Sequence, residues 1–186
     1  MGRFIKRLNR WRHSRGFGVH SPYAYSLVCD VVRPNPRYGY YGYHDVERAV
    51  LEARVGASSE SRFIRRACLL LRCVATLRPA SVWLPPSPPA GMTVAVEKGA
   101  GSRITEKPED CELMVVADPS VQDVEAMMRH ISVQGHSLLV FGTAGAGLAA
   151  ELGKVMTDGL VLYGLSTLLA VSRPDMPLVI HAVNFS

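Results

Sequence analysis

Apolar residues along this chain keep two rhythms, and the change between them falls near residue 80. Before it they recur at spacings of three and four: Ala24, Leu27, Val28 and Val31; Val46, Ala49, Val50 and Ala53; Ile64, Ala67, Cys68, Leu71 and Val74. That spacing marks one face of a helix, so three helices are predicted. Ser21-Pro22 supplies an N-cap and a first-turn proline, and Pro34 and Pro36 end the first helix. Asp45 can cap the second, with Gly56 stopping it; the third runs from about Glu60 to Leu77, where Pro79 closes it. Arg62, Arg65, Arg66 and Arg72 fall off the apolar face of the third helix and are expected in water.

From residue 81 short apolar runs alternate with helical ones. Strands are predicted over Val82 to Leu84, Thr93 to Val96, Leu113 to Ala117 and Leu138 to Phe141. Val121, Val124, Met128 and Ile131 have helical spacing up to Gly135, and a further helix follows Gly142 to Gly147 and reaches about Met156. The tail reads as three strands: Leu160 to Tyr163, Thr167 to Val171 and Leu178 to Val183. A turn at Gly164 makes the first two an antiparallel hairpin, expected at one sheet edge. Such alternation implies βα units and a mainly parallel sheet. The chain therefore reads as one domain, 1–186: an arm over 1–15, a helical part over 16–79 and an α/β core over 80–186.

Between the first two predicted strands stands Leu84-Pro-Pro-Ser-Pro-Pro-Ala-Gly91. An α/β sheet usually carries glycines there, because backbone N–H groups must come close to a ligand and then open a helix. Pro85, Pro86, Pro88 and Pro89 have no N–H to give and fix φ near −65°.

Composition narrows the class. A hydrophobic fraction of 48% with 20% charged residues is that of a folded globular chain. No uninterrupted apolar run of about 18 residues and no leader pattern is present, so a cytoplasmic location is expected. Cys29, Cys68, Cys73 and Cys111 form no C-x-x-C pair and the histidines no H-x-x-x-H pair, which predicts reduced, buried thiols and no zinc site.

The net charge of +5 is uneven, because Arg3, Lys6, Arg7, Arg10, Arg12 and Arg15 all precede the first acid, Asp30. Phe4, Ile5, Leu8 and Trp11 give the same arm an apolar face. A basic amphipathic arm can lie on an anionic membrane, touch nucleic-acid phosphates, or pack on its own domain or on a second copy in a homo-oligomer. The tyrosines of Tyr38 to Tyr43 can stack on a flat ligand or wedge a loop onto the core.

Helices first, βα units next and an antiparallel hairpin last is an order that resembles class I S-adenosylmethionine-dependent methyltransferases. The motifs Gly16-Phe-Gly-Val-His-Ser-Pro-Tyr-Ala-Tyr25 and Tyr40-Tyr-Gly-Tyr43 resemble the start of a bacterial group of methyltransferase-like proteins, which open with a basic arm and an H-S-P-F-like helix start. Leu69-Leu-Leu-Arg72, Leu113-Met-Val-Val-Ala-Asp118, Asp158-Gly-Leu-Val-Leu-Tyr-Gly-Leu165 and Val179-Ile-His181 extend the similarity along nearly the whole chain. The resemblance implies a Rossmann-like, methyltransferase-type sheet, mainly parallel with antiparallel C-terminal strands and preceded by helices.

It also implies a set of site residues. An acidic-Gly-x-Gly loop should grip the cofactor after the first strand; Leu84 to Gly91 stands there without the acid, and Gly91 is its one glycine. With the next strand set at Thr93, the helix that normally follows this loop is expected to be deleted, since too few residues remain for it. An acid should end the second strand to hold the ribose hydroxyls, and Glu97 takes that place. In the metal-dependent branch an Asp follows the fourth strand and an acidic pair the fifth. Asp118 matches the first; Gly142 and Thr143 replace the pair, so no Mg²⁺ site is expected. Gly142, Gly145 and Gly147 lack the lysine of a phosphate loop and read as small residues for close packing. His20 is a candidate general base, or orients the helix start.

Three readings follow. One is a pseudoenzyme that keeps the sheet for binding or assembly, with no cofactor. Another is a working O-methyltransferase that binds S-adenosylmethionine, with Glu97 on the ribose and Asp118 near the reacting centre. The last is a membrane- or nucleic-acid-associated adaptor acting through the arm.

Overall fold

The computed structural model describes residues 21–33, 42–142 and 145–185. The basic arm, His20, Thr143 and most of the tyrosine-glycine loop lie outside the described residues.

Helix α1 (Pro22–Leu27) starts as its sequence dictates: the Ser21 hydroxyl accepts the Ala24 N–H at 3.4 Å, and a wider π turn, Val28–Val32, continues it. Helix α2 (Tyr43–Glu52) begins two residues before the expected cap, so Asp45 lies in its first turn, where a carboxylate favours the helix dipole. Helix α3 (Ala57–Leu77) starts earlier than expected, because Gly56 serves as its N-cap and not as a stop for α2. Arg72 corrects the sequence reading more sharply. It is buried at 4% exposure, donates from Nε to the Val31 carbonyl at 2.9 Å and reaches the Tyr43 hydroxyl at 3.2 Å. Its guanidinium thereby ties the π turn and α2 to α3.

Among the described residues seven strands form one sheet: β1 (Ser81–Trp83), β2 (Arg103–Thr105), β3 (Leu113–Ala117), β4 (Ser137–Phe141), β5 (Leu160–Tyr163), β6 (Thr167–Val171) and β7 (Val179–Ala182). Their order is β2-β1-β3-β4-β6-β5-β7. The first four are parallel, β6 runs antiparallel to both its neighbours, and β7 is parallel to β5. The Gly164 turn does make a hairpin, but β6 is inserted between β4 and β5, which leaves β7 at the edge.

The largest correction concerns Thr93 to Val96. These residues lie in helix α4 (Met92–Gly99), and the second strand comes later, at Arg103. The helix after the proline loop is therefore present, not deleted. Met92, Ala95 and Val96 are all fully buried at helical spacing. A four-residue apolar run cannot by itself separate such a face from a strand.

Side chains alternate across the sheet. Leu113, Val115, Leu139, Phe141, Leu162 and Leu169 point into one core with α1, α3 and α4. Met114, Val116, Leu138, Val140, Val161 and Leu168 point into a second core with α5 (Val121–Ile131) and α6 (Gly145–Val155). A sheet apolar on both faces requires cover on both, and the result is three layers.

Candidate functional site

Strand ends β3, β4 and the start of β6 meet below one turn of α3. The Asp118 N–H donates to the Phe141 carbonyl at 2.8 Å, and the Gly142 N–H donates to the Ser166 carbonyl at 2.8 Å. These bonds make a backbone floor at the carboxyl ends of the parallel strands, where open α/β sheets place their ligands. Above it lies a cleft of about 450 Å³ lined by Arg62, Arg65, Arg66 and Leu69 of α3, by Asp118, Phe141, Gly142, Ser166 and Thr167, and by Phe185.

Two backbone positions shape this cleft. Asp118 has a positive φ of 51°, a left-handed conformation that Asp tolerates better than most residues. Gly142 also has positive φ, 84°, and a Cβ there would overlap the Asp118 carboxylate. Glycine at 142 thus leaves the space into which Asp118 turns.

Asp118 meets Arg66 in a forked pair, with Nη1 to Oδ2 at 3.2 Å and Nη2 to Oδ1 at 3.4 Å. The Arg66 guanidinium also stands over the buried Phe141 ring, 5.5 Å from its centroid. Only 13% of its side chain is exposed, against 68% for Asp118. Arg62 lies four positions before Arg66 and three before Arg65 on the same helix face, and Arg62 and Arg65 are exposed. Among the described residues neither takes part in an ion pair. Like charges at such spacing oppose the helix by about 0.2–0.5 kcal/mol per pair. Three arginines against one carboxylate make the cleft cationic.

The sequence-predicted residues are spread out. Asp118 lies in the cleft. Glu97 is exposed on α4 and ends no strand; the acid that does follow the second strand is Glu106, also exposed, beside a shallow recess lined by Arg103, Thr105, Lys107 and Asp110. Gly91 is the N-cap of α4 with φ of 84°; it is buried, and a Cβ on it would stand 2.8 Å from Val50 Cγ2 and 3.2 Å from Ala67 Cβ. His20 lies outside the described residues. Arg62, Arg65 and Arg66 were legible only as a wet helix face, because nothing in helical spacing says which strand ends that face overlies.

A second polar cluster lies across the sheet. His130 Nε2 donates to the Ser137 carbonyl at 2.9 Å, its Nδ1 faces His136 Nδ1 at 3.3 Å, and Cys111 Sγ is 4.0 Å away. Burial pushes the His130 pKa down to about 4, with His136 adding repulsion and the Ser137 carbonyl opposing. Burial pushes the Cys111 thiol up to about 11. At neutral pH the pair is therefore thiol and neutral imidazole, without the thiolate a nucleophile needs. Among the described residues no group of three or more His, Cys, Asp or Glu is arranged to hold a metal ion, and no helix is long and apolar enough to cross a membrane.

Fold and cleft together define a Rossmann-like α/β protein, its mostly parallel sheet closed by antiparallel C-terminal strands, with a cationic cleft at the carboxyl ends of β3 and β4. Comparison with family models, with curated proteins and with solved structures finds no match to this chain.

Proposed function

We propose that this chain is a methyltransferase-like pseudoenzyme, without S-adenosylmethionine binding or catalysis, that uses its sheet as a scaffold for binding or assembly. The observation that carries this reading is the start of α4. Four prolines precede it, Gly91 is buried against Val46, Val50 and Ala67 of α2 and α3, and Met92 is fully buried. A cofactor loop needs free N–H groups at this point and room beside them. These residues supply side-chain packing instead, which does not fit the group. Thermal unfolding with millimolar S-adenosylmethionine or its demethylated product tests the reading. A ligand present at about 100 times its Kd adds about 2.7 kcal/mol to stability, a rise of several degrees in Tm. An unchanged Tm is expected, and a saturable rise would overturn the proposal.

A second reading, a working O-methyltransferase, is favoured by three placements: α4 is retained, Glu106 follows β2 and Asp118 lines the cleft. It requires a cofactor-dependent rise in Tm that Glu106→Ala removes.

A further inference from the structure

We propose that the cleft between α3 and the ends of β3, β4 and β6 binds the phosphate group of a small phosphate monoester. This goes beyond the scaffold reading and does not depend on it, because the cleft and the start of α4 are separate places in the fold.

The argument begins with charge. Arg66 is already answered by Asp118 and held over Phe141. Arg62 and Arg65 remain, set on one helix face toward the same recess. A helix does not gather three guanidiniums on one turn for its own stability. The excess over the single carboxylate is two positive charges, which matches a phosphate monoester, a near-dianion at neutral pH. A monocarboxylate would leave one of them unanswered.

Geometry agrees with charge. Guanidinium forks fit tetrahedral oxyanions with two parallel N–H bonds each. Ser166 and Thr167 also line this recess. Leu69, Phe141 and Phe185 give it an apolar side for the organic part of the ligand. The charge sits in a recess of about 450 Å³, the size of a small-molecule site, and not along an open face such as a nucleic-acid backbone would follow. Asp118 serves to orient Arg66 and to set the excess charge.

The test is a thermal-shift and calorimetric titration of the full chain with inorganic phosphate, phenyl phosphate and succinate. Phenyl phosphate is expected to raise Tm saturably, inorganic phosphate less, and succinate least. The double variant Arg62→Gln/Arg65→Gln, altered only at exposed positions, should weaken phenyl phosphate binding by about tenfold or more. Arg129→Gln, a surface arginine outside the cleft, should leave it unchanged. The proposal is overturned if no phosphate raises Tm, if succinate binds as well as phenyl phosphate, or if the double variant binds phenyl phosphate as well as the parent. Because S-adenosylmethionine carries no phosphate, this test and the cofactor test fail separately.

Discussion

His130 is buried, and because a carbonyl can only accept, its bond to Ser137 at 2.9 Å fixes the ring proton on Nε2. Nδ1 is then an acceptor, and the 3.3 Å contact requires His136 to donate from its own Nδ1. A proton added to His130 would set two donors face to face in a desolvated site. This gives the pH dependence a sign. The folded pKa of about 4 lies below the ordinary value of 6.5, so the unfolded chain takes up the extra proton first. The contribution is fully present above pH 6.5 and is lost as pH falls from there toward 4. In His130→Gln the side-chain amide can still donate to Ser137 but does not titrate. Its Tm should therefore fall less steeply than the parent's between pH 6.5 and 4; parallel curves would show that His130 is not the group responsible.

Helix α4 shows why an element can be misread while its surroundings are read well. Strands β3, β5 and β6 match their sequence-based bounds residue for residue, because each is an apolar run between clear turn signals. Met92 to Gly99 carries only one turn's worth of apolar spacing, follows four prolines and has no polar N-cap, so its helical period was hidden. A strand at Thr93 makes Glu97 a strand-end acid and leaves no room for a helix, whereas in the structure α4 occupies this segment and Glu106 is the acid that follows β2. Asp118 was legible because β3 was, yet its partner Arg66 was not, since it comes from a helix 52 positions away. The same element carries a prediction. Gly91→Ala puts a Cβ against Val50 and Ala67 at a left-handed φ and should cost about 1–3 kcal/mol, measured by urea unfolding. Full retention of stability would mean that the α4 start is loosely packed and able to open, and the scaffold reading would lose its support.

At the scale of the whole molecule, cationic charge is concentrated in two segments of the sequence. Six cations lie in residues 1–15, before the first acid, and the rest of the chain has slightly more acids than bases. Within that nearly neutral remainder the arginine turn of α3 is a local excess, set in a recess. The two should respond differently to salt. An arm of spaced cations attracts an anionic surface through many weak, screened contacts, so its binding should fall steeply between about 50 and 500 mM salt. A recessed fork on one phosphate is short-range and less sensitive. We propose that the arm, and not the cleft, is what brings the protein to anionic surfaces. Removing residues 1–15 should abolish salt-sensitive sedimentation with vesicles containing phosphatidylserine while leaving the phenyl phosphate shift in Tm intact. Sedimentation that survives the deletion, and disappears in Arg62→Gln/Arg65→Gln instead, would assign the surface contact to α3 and leave the arm to pack on protein.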